Sequence, residues 1–279
     1  MKSGLAINIP SSFTRVLSDL SFIQDVRSED LTYAGFFGGS LSESLVNSAD
    51  DIAGNFIEVT GRNTERLTFG RGFFSFVGPG SDTSAGTGIR AEAVYNNLSE
   101  GCPCTIAVAF RSIKKAAKEQ YRRQYPIMSF FSNPSSINGS TALFLSATML
   151  DTGQNVLGAH SGDIANGSSD ALASRCSVPI DWSSTDDVIC AAISRSADGT
   201  VKMAAKKGDG AILTSSFGFP VQTLPANTNA MRVLFGTSES RTLDSGDILM
   251  GQYWHNTALT MTELQQQVAL IHLKASARL

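Results

Sequence analysis

The sequence predicts an all-β protein, a two-sheet antiparallel sandwich finished by a short C-terminal helix and preceded by an N-terminal arm. Three observations carry this. The texture is one of short strands and frequent turns, with 25 Gly and 16 Phe against only 8 Pro. The strongest strand signal, over residues 105–110, puts Ile106, Val108 and Phe110 on one face and alanines on the other. Both faces are apolar, so the sheet must be covered on two sides. Finally, Asp198-Gly199, Gly208 to Gly210 and Asn133-Pro134 stand between such runs and supply turn dihedrals.

The remaining strands follow in order. Residues 142–148 and 187–193 read as buried strands, residues 126–131 as a further strand, and 201–205 and 231–235 alternate with period two. Asp198-Gly199 is the best hairpin signal. Ile106, Val108, Phe110, Ile189, Ile193, Phe235 and Ile248 are the expected core. At the C-terminus, Thr260 and Glu263 form a possible capping box ahead of Leu264, Val268 and Ile271 at helical spacing. Residues 112–124 lack Gly and Pro, carry many cations, and read as a basic helical or looped insertion between two strands. Residues 1–53 read as an arm or attachment segment and 54–279 as the sandwich. Within the arm, Phe13, Val16, Leu17, Leu20, Phe22, Phe36 and Phe37 form an apolar set too large to leave wet.

With 279 residues, 42% hydrophobic and 17% charged, the chain is long enough for a large core and too apolar to be disordered. No apolar run approaches the roughly 20 residues that cross a bilayer, and residues 1–12 do not form a signal peptide. A formal net charge of -3 removes any global attraction to nucleic acid. The four cysteines, Cys102, Cys104, Cys176 and Cys190, lack zinc-site spacing and are expected as free thiols in a reducing cytosol.

Chemistry-bearing patterns are few. Glu29-Asp30, Asp186-Asp187 and Glu58 with Glu65 do not alternate inward on one strand, as a carboxylate pair for glycoside cleavage would. His160, Ser161 and Asp163 are too close together on a turn to form a nucleophile, base and orienter. Asp151, Asp163, Asp170, Asp209, Asp244 and Asp247 stand singly, without a calcium-loop pattern. No catalytic residue, metal or cofactor is therefore expected. Two binding candidates remain. Tyr253, Trp254 and His255 could stack a sugar ring, although strand alternation points Trp254 away from its two neighbours. Arg111, Lys114, Lys115, Lys118, Arg122 and Arg123 make a local basic patch for a partner protein or an anionic ligand, or are a solvated face.

From Asn55 onward the order of features resembles the concanavalin A-like jelly roll, and within it the laminin G-like branch. Trp182 precedes a core strand, Leu234-Phe235-Gly236 follows the hairpin, and residues 246–264 are similar to the last strand, turn and short helix of that family. The resemblance implies a jelly-roll sandwich, a fold used for sugar binding, adhesion, viral surface modules and some hydrolases. The expectation that follows is a non-enzymatic structural and adhesion protein of a virion, a bacteriophage tail, fibre or head-decoration component. It would be made in the host cytoplasm, join other subunits or copies of itself, and bind a host surface glycan or its neighbours. A cellular lectin-like carbohydrate-binding module is the alternative, and a glycan-active hydrolase a third reading.

Overall fold

The computed structural model describes residues 24–49, 54–59, 67–77, 87–92, 103–115, 124–131, 141–150, 152–161, 176–183, 186–219, 232–236 and 243–279. The strands in chain order are β1 (Leu31–Phe36), β2 (Phe56–Val59), β3 (Thr68–Gly70), β4 (Phe73–Val77), β5 (Gly88–Ala91), β6 (Cys104–Lys115), β7 (Gln124–Phe131) and β8 (Thr141–Met149). They continue with β9 (Asn155–His160), β10 (Ser177–Val178), β11 (Ile189–Arg195), β12 (Thr200–Lys207), β13 (Leu213–Gly218), β14 (Arg232–Gly236) and β15 (Leu243–His255). A one-turn helix α1 (Leu41–Ser44) follows β1, and α2 (Met261–Ser276) follows β15.

The strands form the two antiparallel sheets of a jelly-roll sandwich. One sheet runs β13-β12-β11-β6-β15-β4-β3, with β1 also paired to β15; the other runs β10-β9-β8-β7-β14-β5-β2. The alternation in β6 sorts its residues as expected. Ile106, Val108 and Phe110 enter the layer between the sheets with Ile189, Ile193, Phe235 and Ile248, all at 0% exposure. Ala107 and Ala109 join Cys190, Ala192 and Ala204 on the outer face of the first sheet, where Leu264, Val268 and Ile271 of α2 cover them. Small side chains there let the helix lie close to the sheet. Burying those three helix side chains contributes about 1.5 to 3 kcal/mol each. The helix starts at the expected box, in which the Thr260 hydroxyl accepts from the Glu263 N–H and the Glu263 carboxylate accepts from the Thr260 N–H at 2.7 Å. Asp198-Gly199 turns the β11–β12 hairpin, with Gly199 at φ +83° and Asp198 Oδ1 accepting from the Thr200 N–H.

Two expectations change. Residues 31–49 are part of the sandwich, not an arm: β1 pairs with β15 from Leu31 to Phe36, and Tyr33 and Phe37 are at 0% exposure in the main core. Phe37 packs against Phe56, Phe74 and Phe235 at ring separations of 5.8, 5.0 and 5.9 Å. Phe36 and Phe37 of that apolar set thus pack within their own domain; the others, Phe13, Val16, Leu17, Leu20 and Phe22, lie outside the described residues. Residues 112–115 are strand rather than helix or loop. Ser112 at φ +54° makes a bulge, after which Ile113 turns into the core, and Lys114 and Lys115 pair with Ser245 and Leu243 of β15. The long partner strand supplies the hydrogen bonds that local composition did not reveal.

Candidate functional site

The sequence candidates disperse on the fold. Tyr253 points into the core against Phe130, with ring centroids 5.2 Å apart. Trp254 points the other way, beneath α2, and its Nε1 donates to the Val26 and Arg27 carbonyls at 3.1 and 3.3 Å. Both rings are at 0% exposure, so no sugar can stack on them. His255 alone is partly exposed; its Nδ1 is 2.9 Å from the Tyr253 hydroxyl, and burial holds its pKa below the ordinary value. The aromatic platform is corrected to a packing feature, because β15 is sandwiched between the core and a helix.

The basic patch is also reduced. Arg111 Nε donates to Asp247 Oδ2 at 3.2 Å, and its guanidinium lies over the Phe73 ring, 4.7 Å from the centroid. Ser75 Oγ donates to the other Asp247 oxygen at 2.6 Å. Arg111 is therefore a neutralised strut across β4, β15 and β6, and Lys114 is the exposed cation beside it. Lys118, Arg122 and Arg123 lie outside the described residues, as does the side chain of Lys115. Among the described residues no three His, Cys, Asp or Glu side chains converge to hold a metal. Cys104, Cys176 and Cys190 are buried thiols outside any disulfide; burial pushes the Cys176 thiol up to about 11 and raises that of Cys190 further.

What the sequence did not reveal is a cavity of about 640 Å³ beside the end of β1, lined by Phe36, Gly38, Gly39, Glu43, Val46, Ser48, Arg71, Gly72 and Arg278. Its construction follows from one accident of topology. Strands β1 and β4 lie end to end along the same edge of β15, Phe36 opposite Met250 and Phe74 opposite Ile248. The chain must leave the sheet in the gap between them, and it does so at Gly38 and Gly39, with φ of +118° and +75°. A Cβ on Gly38 would stand 2.4 Å from the Phe73 nitrogen, so the backbones touch there and no side chain fits.

Short polar side chains then fix the loop. Ser44 Oγ accepts from the Gly38 N–H at 2.8 Å, Asn47 Oδ1 accepts from the Ala34 N–H at 3.0 Å, and Asn47 Nδ2 donates to the Thr32 and Gly54 carbonyls. Ser40 caps α1 and donates to Glu43 Oε2 at 3.0 Å, which holds that carboxylate over Gly39. Two cations from elsewhere in the chain line the same cavity. Arg71 is exposed at the tip of the β3–β4 hairpin. Arg278, just past α2, rests its guanidinium 5.3 Å from the Phe36 ring centroid and donates from Nη2 to the Phe37 carbonyl at 3.4 Å. Burial lowers the pKa of Arg278 and the charge of Glu43 opposes that shift, so it stays a cation.

A second polar feature also went unseen in the sequence. Arg195, at the end of β11, is only 1% exposed, and its Nε and Nη1 have no hydrogen-bond partner among the described residues. It lies between Cys104 of β6 and Val201 of β12, which belong to the core cluster.

No family model matches the chain, and no curated protein matches it. Solved structures do. Peanut lectin with a nine-residue peptide is similar at a TM-score of 0.48 and 13% identity, over 82% of this chain and 97% of that one. The exoplasmic/lumenal domain of VIP36 in its Ca²⁺- and mannose-bound form is similar at a TM-score of 0.46 and 12% identity, over 84% and 95%. Lectin I from Ulex europaeus, in complex with a methyl glycoside of α-L-fucose, is similar at 0.44 and 11% identity, over 71% and 97%.

Proposed function

We propose that the chain is a lectin-like carbohydrate-binding protein that holds a saccharide in the cavity beside β1 and does not cleave it. The observation that supports this most is the composition of that cavity. A carboxylate and two guanidiniums offer acceptors and donors for sugar hydroxyls, and Val46 and Phe36 offer apolar wall. Its volume of about 640 Å³ admits one or two sugar rings. Hydrolysis needs two carboxylates across the scissile bond. Glu43 is the single carboxylate among the lining residues, so binding is the reading its chemistry supports.

The virion reading drew on an apolar N-terminal arm, and of that set Phe36 and Phe37 pack within the sandwich instead. The large apolar side chains exposed among the described residues, Val46, Val77, Leu273 and Leu279, are scattered over different elements and make no subunit-sized patch. A virion setting is a separate proposal, resting on the Gly- and Ser-rich strand texture, and mass spectrometry of purified particles tests it.

The carbohydrate reading is tested on an immobilised oligosaccharide panel with product analysis. The protein is expected to retain at least one oligosaccharide intact. Val46→Trp and Ser48→Leu, both at exposed wall positions, should each weaken that binding at least tenfold without shifting the thermal midpoint. Retention of no oligosaccharide, or release of cleaved product, overturns the reading.

A further inference from the structure

We infer that the saccharide this cavity accepts is acidic, a sugar bearing one negative oxyanion group, carboxylate or sulfate ester, that Arg71 and Arg278 hold together. The inference rests on the carbohydrate reading above and adds the ligand's charge.

The lining carries two cations and one anion, and one oxygen of that anion already accepts a hydrogen bond from its own loop. Glu43 accepts from Ser40 Oγ and is held over Gly39 by the turn. Neither Arg71 nor Arg278 is in an ion pair among the described residues, whereas Arg27, Arg111 and Lys274 each contact a carboxylate. Arg278 is held from two sides without being satisfied. Among the described residues its one hydrogen bond is the long contact to the Phe37 carbonyl, and its buried Nε has no partner. A buried donor left unmet is costly, and a guanidinium edge matches the paired oxygens of a planar or tetrahedral oxyanion.

The segments that carry these groups meet backbone to backbone. A Cβ on Gly72 would stand 2.9 Å from the Arg278 carbonyl oxygen, so the hairpin tip and the end of the helix are in backbone contact. Arg71 is the neighbour of Gly72, and the hairpin therefore carries its cation to the same mouth as Arg278. With Glu43 counted, the lining has one positive charge in excess, which a singly charged ligand neutralises. A phosphate monoester, close to doubly charged at neutral pH, would leave an uncompensated anion beside Glu43.

Titration of the full chain with uronic-acid, sialylated and sulfated oligosaccharides, each beside its carboxyl-reduced or desulfated counterpart, tests this. At least one acidic member is expected to bind at least tenfold more tightly than its neutral counterpart, with affinity falling as salt rises. Arg71→Ala, an exposed turn substitution, and Arg278→Gln are each expected to remove most of that preference. Lys202→Ala, which deletes the same charge four strands away on β12, should leave it intact. Equal binding of an acidic member and its neutral counterpart overturns the inference and leaves the carbohydrate reading standing. Failure of every oligosaccharide, acidic or neutral, overturns both. The sulfated and carboxylated arms identify which oxyanion is preferred.

Discussion

Replacing Phe37 by Ala measures how firmly the N-terminal residues belong to the sandwich. The ring is at 0% exposure and packs on Phe56, Phe74 and Phe235, so it joins both sheets at one point. Losing the transfer free energy of a fully buried Phe costs about 2 to 3 kcal/mol. A residual void of roughly 80 Å³, at about 24 cal/mol per Å³, adds about 2 kcal/mol. The sum, about 4 to 5 kcal/mol, lowers the thermal midpoint of a domain this size by roughly 10 °C. Denaturant unfolding followed by tryptophan fluorescence reads it directly, since Trp182 and Trp254 are both buried. Leu273→Ala, at a helix position 52% exposed, is the control and should stay within about 0.5 kcal/mol. A Phe37→Ala loss below 1 kcal/mol would refute the placement of β1 and its following turn in the core, and would restore the idea of a separable arm. By the same reasoning, deletion of residues 1–49 should unfold the protein rather than release a soluble sandwich.

Other outcomes follow from the same packing. Val108→Asp places an unpaired carboxylate between the sheets and should cost several kcal/mol, enough to abolish soluble expression, whereas Val108→Ile should be recovered folded. Thr260→Ala removes the hydroxyl that accepts from the Glu263 N–H and should cost about 1 kcal/mol in denaturant unfolding. Asp181 is held below the usual carboxylate range by hydrogen bonds from Asn155 and Ser183. At Glu263 burial acts upward, but the bonds from Thr260 and the charge and hydrogen bond of Arg27 bring the net shift down. A depressed folded-state pKa contributes stability that is present above the unfolded value, near 4, and is lost as pH falls through the folded value. Thermal midpoints should therefore be flat from pH 7 to about 5 and fall below about 4, less steeply in Glu263→Gln; identical slopes would contradict this.

The parts of the fold visible in the sequence are those in which neighbouring residues carry the signal. Alternation over residues 105–110 showed a strand covered on both sides, and Thr260 with Glu263 marked a helix start because a capping box lies within four residues. The alanine face of β6 implied a close cover without naming it, and that cover proved to be α2. Strand β1 was missed because Gly35 interrupts its pattern and a Gly-rich turn follows at once, and its support comes from β15, more than 200 residues away. The basic run beyond Arg111 was read from composition, yet the β15 register draws residues 111–115 into a ladder. The cavity was least visible of all. Glu43, Arg71 and Arg278 have no common local motif, and only the end-to-end placement of β1 and β4 along β15 brings them to one mouth. The signal available was the pair Gly38-Gly39 ahead of the cap at Ser40, which marks a sharp exit from a sheet.

Hydrogen–deuterium exchange of the full chain, with and without a saturating acidic oligosaccharide, tests the central claim most directly because it reports where a saccharide sits. Protection is expected at residues 36–48, at 70–73 in the hairpin tip and at 276–278 after the helix, with little change elsewhere. Protection confined to other segments, such as β7 to β9 or the His255 end of β15, would contradict the assignment of the cavity as the binding site.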